Sequence, residues 1–235
     1  HTRRALMRCF MYQIRYFALS LLAFLLLASV SHAITVPANI LNYTAITLTY
    51  NGLATYPNPF QQMIAVNALN YTSYMTYNGN FANFEYFYGN GTIIPAWIES
   101  NVSNTITTWV KLSNTIFPNT GSATATNTIY LGFASKTTNL LSNTGTSGIG
   151  EAPQLSSVYG QYDDGASVFD GYWDFAGTSL PSGLNAFTET GGTYSINNGV
   201  TFTSACEGAG TGGVGLETVS SYPANSVIAD AYAVS

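Results

Sequence analysis

The pattern of apolar and polar positions changes character at residue 33. Before that point an apolar run over 17–30 ends at Ser31-His32-Ala33 and follows four arginines: Arg3, Arg4, Arg8 and Arg15. A basic start, an apolar middle and a small-x-small end are typical of a secretory signal. The pattern predicts an N-terminal signal helix over residues 1–33 and export of everything that follows.

Past residue 33, helical periodicity gives way to short runs of β-branched and aromatic residues, separated by Asn, Gly, Pro and Ser. This arrangement is typical of an all-β fold. The clearest alternation puts Ile106, Val110 and Leu112 on one face of a strand and Thr107, Trp109 and Lys111 on the other. The predicted strands are Tyr43–Tyr50, Phe60–Asn67, Asn83–Tyr88, Thr92–Glu99, Thr105–Leu112, Asn127–Phe133, Gly192–Ile196, Val200–Ser204 and Ser226–Val234.

Turn residues punctuate these runs. Asn90-Gly91 predicts a hairpin in which both residues adopt a positive φ, and Asn197-Asn198-Gly199 predicts a second hairpin. Pro95 cannot donate a ladder hydrogen bond, so it predicts a sheet edge or a bulge.

The part after the leader is long enough for one large or two modest domains. The strand pattern weakens between Ala134 and Tyr172, and we place a boundary near Gly171, giving domains 34–171 and 172–235. Residues 226–234 form an apolar run without a closing turn, and His1 precedes the first Met. We therefore expect a fragment of a longer protein.

Charge narrows the functional classes. Charged residues make up 7 % of the chain, against roughly 25 % in ordinary domains. After the leader the cations are Lys111 and Lys136, and neither Arg nor His occurs. An acidic chain of this kind disfavours nucleic acid as a partner. Without His it also lacks the usual proton shuttle and the commonest metal ligand. Membrane attachment is expected only through the leader or an anchor beyond residue 235.

Four Asn-x-Ser/Thr sequons suit an exported chain and are candidate glycosylation sites: Asn42, Asn70, Asn90 and Asn101. Cys206 is the single cysteine after the leader. We expect it to be a buried small apolar residue or to pair beyond residue 235, rather than to act as a reactive thiol.

A series of motifs then occurs in a fixed order: Asn58–Ile64, Phe84–Tyr88, Gly91–Glu99, Thr108–Leu112 and Thr128–Phe133. Over about residues 50–175 this series resembles the prokaryotic secreted or surface domain of unknown function 2341. The chain departs from the family's pattern at Leu131-Gly132-Phe133-Ala134. The resemblance implies a β-sandwich with no established activity.

A second resemblance begins near the end of the first. Phe175–Gly183 is similar to the opening of a concanavalin A-like lectin or glucanase jelly roll, and Tyr194–Phe202 is similar to its first hairpin. Together the resemblances imply an all-β chain: a β-sandwich followed by the truncated start of a jelly-roll sandwich.

Two groups of carboxylates are candidates for chemistry. Glu85 and Glu99 could form a pair for glycoside cleavage, but alternation directs Glu85 to solvent and Glu99 ends its predicted strand. The oxygen-rich group Asp163, Asp164, Asp170 and Asp174 is the first candidate for Ca²⁺. Its spacing matches no EF-hand, so we expect a solvated turn rather than a metal site. No catalytic residue and no required cofactor is predicted.

The aromatic residues, 14 % of the chain, raise the question of sugar stacking. Trp97 and Trp109 are expected to pack within the fold. Tyr71, Tyr74 and Tyr77 lie in a polar stretch without strand alternation, and they are the candidate exposed ligand-binding platform.

Taken together, the sequence favours a secreted or cell-surface, non-catalytic β-sandwich for recognition or adhesion. Its expected partners are glycans or cell-surface proteins. Two alternatives stay open: a structural subunit of a surface layer or filament, and a glycoside hydrolase whose catalytic strand lies beyond residue 235.

Overall fold

The computed structural model describes residues 33–50, 59–75, 81–113, 125–188, 191–203 and 213–222. Contacts between residues divide the chain into two units, with the boundary between Ile34 and Thr35. Every described helix and strand lies in the second unit. The predicted signal segment up to residue 32 and the predicted strand Ser226–Val234 lie outside the described residues. No helix among the described residues combines the length and apolar composition needed to cross a membrane.

The described residues are mostly strands, as the alternation predicts. They form β1 (Asn42–Tyr50), β2 (Phe60–Asn67), β3 (Phe84–Tyr88), β4 (Ile93–Ile94), β5 (Ala96–Val102), β6 (Thr105–Leu112), β7 (Ala125–Phe133), β8 (Gly150–Glu151), β9 (Leu184–Thr188), β10 (Thr193–Ile196), β11 (Val200–Thr203) and β12 (Val214–Thr218). The helical elements are short: 3-10 turns at Ala68–Tyr71 and Pro153–Leu155, and one α-helical turn, α1 (Gly165–Val168).

Two four-stranded sheets carry most of these strands. The first sheet has the order β1-β7-β3-β4 and the second has the order β2-β6-β5-β8. All their pairings are antiparallel except β5 with β8, which is parallel.

The two sheets pack face to face around one apolar core, so this part of the chain is a β-sandwich. Phe84, Tyr86 and Leu131 point inward from the first sheet, and Ile106 and Val110 point inward from the second. The Tyr86 hydroxyl shares a 2.8 Å hydrogen bond with Thr108 Oγ1 across the core. Thr108 in turn donates to the Ile64 carbonyl at 3.0 Å, so the buried hydroxyls are satisfied.

Pro95 is the point at which the chain changes sheet. The predicted strand Thr92–Glu99 is divided there into β4, on the edge of the first sheet, and β5, inside the second. The Pro95 carbonyl still accepts from the Lys111 N–H at 2.9 Å. The expectation of an edge or bulge at Pro95 within one strand is thus wrong: the strand ends there, the chain crosses to the other sheet, and the register shift of β5 lies between Ile98 and Ser100.

Both predicted hairpins are present, with one difference. In the β3–β4 turn only Gly91 has a positive φ, of 86°; Asn90 instead accepts the Thr92 N–H on its side chain at 3.0 Å. Its Asx bond replaces the positive φ that we expected at Asn90. Between β10 and β11, Asn198 and Gly199 both have a positive φ.

Part of the outer face of each sheet is covered as well as its inner face. On the first sheet, Ile40 and Phe87 pack so closely over Gly132 that a Cβ there would lie 2.9 Å from each side chain. The second sheet is covered by the segment from Ala152 to Tyr172, which forms a separate apolar cluster with Trp97 and Trp109.

The last strands form two small sheets, β10 with β11 and β9 with β12. The sequence pattern predicted the first pair but neither β9 nor β12. Segment 175–177 meets the β10–β11 turn: Asn198 N–H donates to the Gly177 carbonyl at 3.0 Å, and Gly199 N–H to the Phe175 carbonyl at 2.9 Å.

Candidate functional site

An aromatic layer lies on the outer face of the second sheet. Trp97 and Trp109 are cross-strand neighbours on β5 and β6, and alternation turns both away from the sandwich core. The Phe169 ring meets each indole edge-on, at 5.4 Å from Trp97 and 5.7 Å from Trp109. Tyr172 stacks on Phe169 at 6.0 Å. The expectation that the two tryptophans pack within the fold is confirmed.

A carboxylate accepts each of these two indole N–H groups. Trp97 Nε1 donates to Asp163 Oδ1 at 3.0 Å, and Trp109 Nε1 donates to Glu99 Oε2 at 2.6 Å. Buried indoles require such acceptors. Glu99 lies at a register shift between Ile98 and Ser100, within β5 rather than at the end of a strand as expected.

Asp163 joins the aromatic layer to the loop above it. Besides the Trp97 indole, two groups donate hydrogen bonds to its carboxylate. The Gly165 N–H lies 3.0 Å from Oδ1, and the Tyr172 hydroxyl lies 2.8 Å from each of the two oxygens. Burial raises the pKa of Asp163; these hydrogen bonds oppose the rise, and the charge of Asp174 adds to it. With so many donors in place, the carboxylate positions Tyr172 rather than standing ready for proton transfer.

An open groove of about 340 Å³ lies beside this network. Its lining combines two aromatic side chains, one proline and several oxygen acceptors: Asp163, Ala166, Tyr172, Trp173, Asp174, Pro181 and Ser182. Trp173 Nε1 donates to the Ser182 carbonyl at 2.9 Å, which fixes the indole against the opposite wall. Asp174 Oδ1 accepts the Ala176 N–H at 3.0 Å and holds the turn that follows.

Asp164, next to Asp163, is buried without a hydrogen-bond partner for its Oδ1 atom. The side chain is 4 % exposed and lies against Gly150 on β8. Burial, and then the nearby charge of Asp163, raise the pKa of Asp164 to about 8. Its carboxyl is therefore neutral at pH 7.

This buried carboxyl predicts the pH dependence of stability. Between about pH 4 and pH 8 the unfolded chain ionises Asp164 while the folded chain keeps it protonated. Stability then falls as the pH rises through this window, by at most about 1.4 kcal/mol per pH unit for this group. Burial also raises the pKa values of Glu85 and Glu151, which act in the same direction.

Urea unfolding at pH 5, 6, 7 and 8 measures this dependence. We expect Asp164→Asn to flatten the profile of stability against pH, and Asp170→Asn is the matched loss of a carboxylate at an exposed position. A wild-type protein that gains stability from pH 5 to pH 8 would contradict the assignment.

The structure separates the predicted calcium ligands. Asp170 is largely exposed and forms an ion pair with Lys111 at 3.2 Å, while Asp163 and Asp164 are taken up by the contacts above. Among the described residues, no three His, Cys, Asp or Glu side chains come together in a metal-binding arrangement. The expectation of a solvated turn is wrong for Asp163 and Asp164, because neighbouring parts of the segment 150–172 bury them at least partly.

Glu85 and Glu99 do not form a pair. Glu85 is buried on the outer face of the first sheet, where its Oε2 accepts the Gly148 N–H at 2.9 Å. Glu99 lies on the outer face of the second sheet, so the sandwich core separates the two carboxylates. The expectation that Glu85 points to solvent is wrong, because the 139–149 loop covers that face.

The three candidate platform tyrosines have different surroundings. Tyr71 is half-buried at the end of a 3-10 turn, and its ring lies 5.1 Å from Phe133. Tyr74 is 42 % exposed and stacks on the same Phe133 at 5.7 Å. Tyr77 lies outside the described residues. Tyr71 is thus not the exposed side chain we expected: it covers the end of the core.

All four sequon asparagines, Asn42, Asn70, Asn90 and Asn101, are exposed. Each is sterically open to modification. Their use as glycosylation sites remains a prediction.

The sequence patterns did not identify the groove as one site, although they named two of its lining residues, Asp163 and Asp174, as candidate Ca²⁺ ligands. Tyr172, Trp173 and Asp174 form a contiguous run whose signal is composition alone, two large aromatics beside an acid. Pro181 and Ser182 are brought to them by a turn that no periodicity describes.

These features define a β-sandwich with an aromatic and acidic outer layer beside an open groove. No family model matches the chain, and comparison with curated proteins and with solved structures finds no significant match.

Proposed function

We propose that this protein is a secreted or cell-surface recognition module that binds neutral carbohydrate in the groove beside Tyr172 and Trp173. One observation carries the proposal: the groove combines the aromatic surfaces of Tyr172 and Trp173 with the carboxylate of Asp174, and these suit sugar rings and sugar hydroxyls respectively. Its volume, about 340 Å³, falls at the lower end of the range for small-molecule sites. A site of this size suits one or two sugar units.

Charge supports a neutral ligand. Asp163 and Asp174 line the groove, while the two cations after the leader are engaged elsewhere. Lys111 pairs with Asp170, and Lys136 donates to the Thr72 carbonyl at 2.6 Å. An acidic groove of this kind repels sulfated or phosphorylated ligands.

The contacts of Asp163 favour binding over hydrolysis. Most glycosidases use two carboxyl groups that are free to act on the scissile bond, either as acid and base or as acid/base and nucleophile. Asp163 accepts hydrogen bonds from Trp97, Gly165 and Tyr172, which hold it as a structural acceptor. We therefore propose a non-catalytic role for the groove, with no cofactor.

Trp173→Ala tests the proposal on the exported protein. A panel of neutral oligosaccharides on an array, followed by calorimetric titration with the best ligand, should show binding that falls at least tenfold in the variant. Phe202→Ala, at a 45 % exposed aromatic on β11, is the matched control and should bind as wild type does.

Two outcomes would overturn this function. One is the absence of binding to every neutral saccharide, and the other is equal loss of affinity in both variants. Release of reducing sugar from a bound oligosaccharide would replace the binding role with an enzymatic one.

A further inference from the structure

The two sheets end differently on the two sides of the sandwich. The chain passes directly from β4 through Pro95 into β5, so β4 and β8 lie on one side, and each is two residues long. On the opposite side the sheets end in β1 and β2, of nine and eight residues. Among the described strands, β1 pairs only with β7 and β2 only with β6. We refer to β1 and β2 together as the open edge.

Among the described residues, core-facing side chains at the open edge are less buried than those further inward. Ile46 and Leu48 on β1 and Ile64 on β2 pack against the core yet are only partly buried. On the next strands inward, Ile129 of β7 and Val110 of β6 are 0 % exposed. Apolar side chains that face a core but remain partly exposed to solvent mark a place where contact with a further apolar surface would be favourable.

Sequence features that usually protect long edge strands are missing here. Natural sheets blunt an exposed edge with charged side chains, proline, bulges or very short strands. Neither Asn42–Tyr50 nor Phe60–Asn67 contains a charged residue or a proline, and both strands pair with their neighbours without a register shift. The opposite side does use very short strands.

We propose that the open edge associates with a second copy of this chain through antiparallel pairing of β1 with β1. Pairing about Ile46 sets Thr44 against Leu48 and Ala45 against Thr47. In this register, core-facing residues meet core-facing residues, and solvent-facing residues meet solvent-facing residues. The first sheet then continues across a two-fold axis, which makes the interface isologous and closed.

Charge favours a second copy as the partner. The exported chain is acidic, so two copies repel each other over most of their surfaces. β1 and its neighbour β7 carry no charge at all, so the copies can approach here without placing like charges in contact. The partner's β1 offers the half-buried Ile46 and Leu48 as matching apolar surface.

Thr47→Lys tests the proposal. Thr47 is solvent-facing and exposed, so a lysine fits the folded monomer but places two like charges near the two-fold axis of the dimer. The protein is produced in a bacterial host that does not glycosylate, so Asn42 stays unmodified. Its mass is then measured by sedimentation over a wide concentration range. Thr92→Lys, at an exposed position in the β3–β4 turn on the opposite side, is the control of equal charge.

We expect wild type and Thr92→Lys to dimerise, and Thr47→Lys to raise the dissociation constant at least tenfold without lowering the melting temperature of the monomer. Amide hydrogen exchange should slow in β1 on dimerisation.

Three results would overturn the proposal: a wild-type protein that stays monomeric at every concentration, a Thr47→Lys variant that dimerises as wild type does, or a dimer whose β1 amides exchange as fast as those of the monomer. A monomer that instead captures an added extended peptide along β1 would assign the edge to another partner.

Discussion

Replacing Trp97 by alanine is expected to lower the free energy of unfolding by about 3–5 kcal/mol, the usual cost of emptying a buried aromatic site. The indole is 3 % exposed and meets the rings of Phe169 and Tyr172. Its loss also removes one of the three groups that donate a hydrogen bond to Asp163, beside Gly165 and Tyr172.

Denaturant unfolding of Trp97→Ala beside Trp173→Ala measures this effect. Trp173 is only half-buried and lines the open groove, so the same substitution should cost much less there. A loss at Trp97 that is no larger than the loss at Trp173 would contradict this expectation.

Replacing Gly150 by alanine should be the next most damaging of these changes. A Cβ at Gly150 would lie 1.6 Å from Asp164 Oδ1 and 2.3 Å from its Cγ, so either the buried carboxyl or β8 has to move. Forcing such overlap in a packed interior costs about 1–3 kcal/mol, sometimes more.

Asp164→Ala should partly rescue Gly150→Ala, because it removes the two closest atoms and leaves the Asp164 Cβ at 3.0 Å. Gly89→Ala is the matched control: its nearest atom, Tyr130 Cε2, would lie at an ordinary 3.6 Å. Melting temperatures of the two single variants and the double variant report the coupling. If the two losses simply add, the assigned contact is wrong.

Alternation predicted most strands of the two large sheets, but not β8, β9 or β12, and not the segments that cover the sheets. The bounds of β2 and β6 follow from the sequence because each has one face in the sandwich core. Glu85 shows the limit of this reasoning. Its place in the alternation correctly put it on the strand face opposite to that of Phe84 and Tyr86, but its burial depends on a loop that starts more than fifty residues later. Parity determines the face of a strand, whereas burial depends on distant segments.

The site was harder to predict for the same reason. Trp97 and Asp163 are 66 positions apart and meet through a hydrogen bond that no local pattern encodes. The aspartates looked alike in sequence, but the fold over residues 150–172 gave them different roles. Asp163 became an acceptor for three groups, Asp164 a buried acid and Asp170 an exposed ion-pair partner.

The stable outer layer and the groove form one arrangement. Trp97 and Asp163 hold Tyr172, and Tyr172 packs closely on Gly165, where a Cβ would lie 2.3 Å from its ring. The groove therefore rests on packed and hydrogen-bonded side chains, so we expect the binding surface that we propose to be preformed rather than ordered by its ligand.

Titration of the protein with neutral oligosaccharide, followed by tryptophan emission, tests the central claim most directly. Of the three tryptophans, Trp97 and Trp109 are buried and hydrogen-bonded to carboxylates. A ligand in the groove should therefore change the emission of Trp173. We expect a saturable blue shift that disappears in Trp173→Phe, with the fold intact. Emission that does not respond to any neutral saccharide, or a shift that persists in Trp173→Phe, would contradict carbohydrate recognition at this groove.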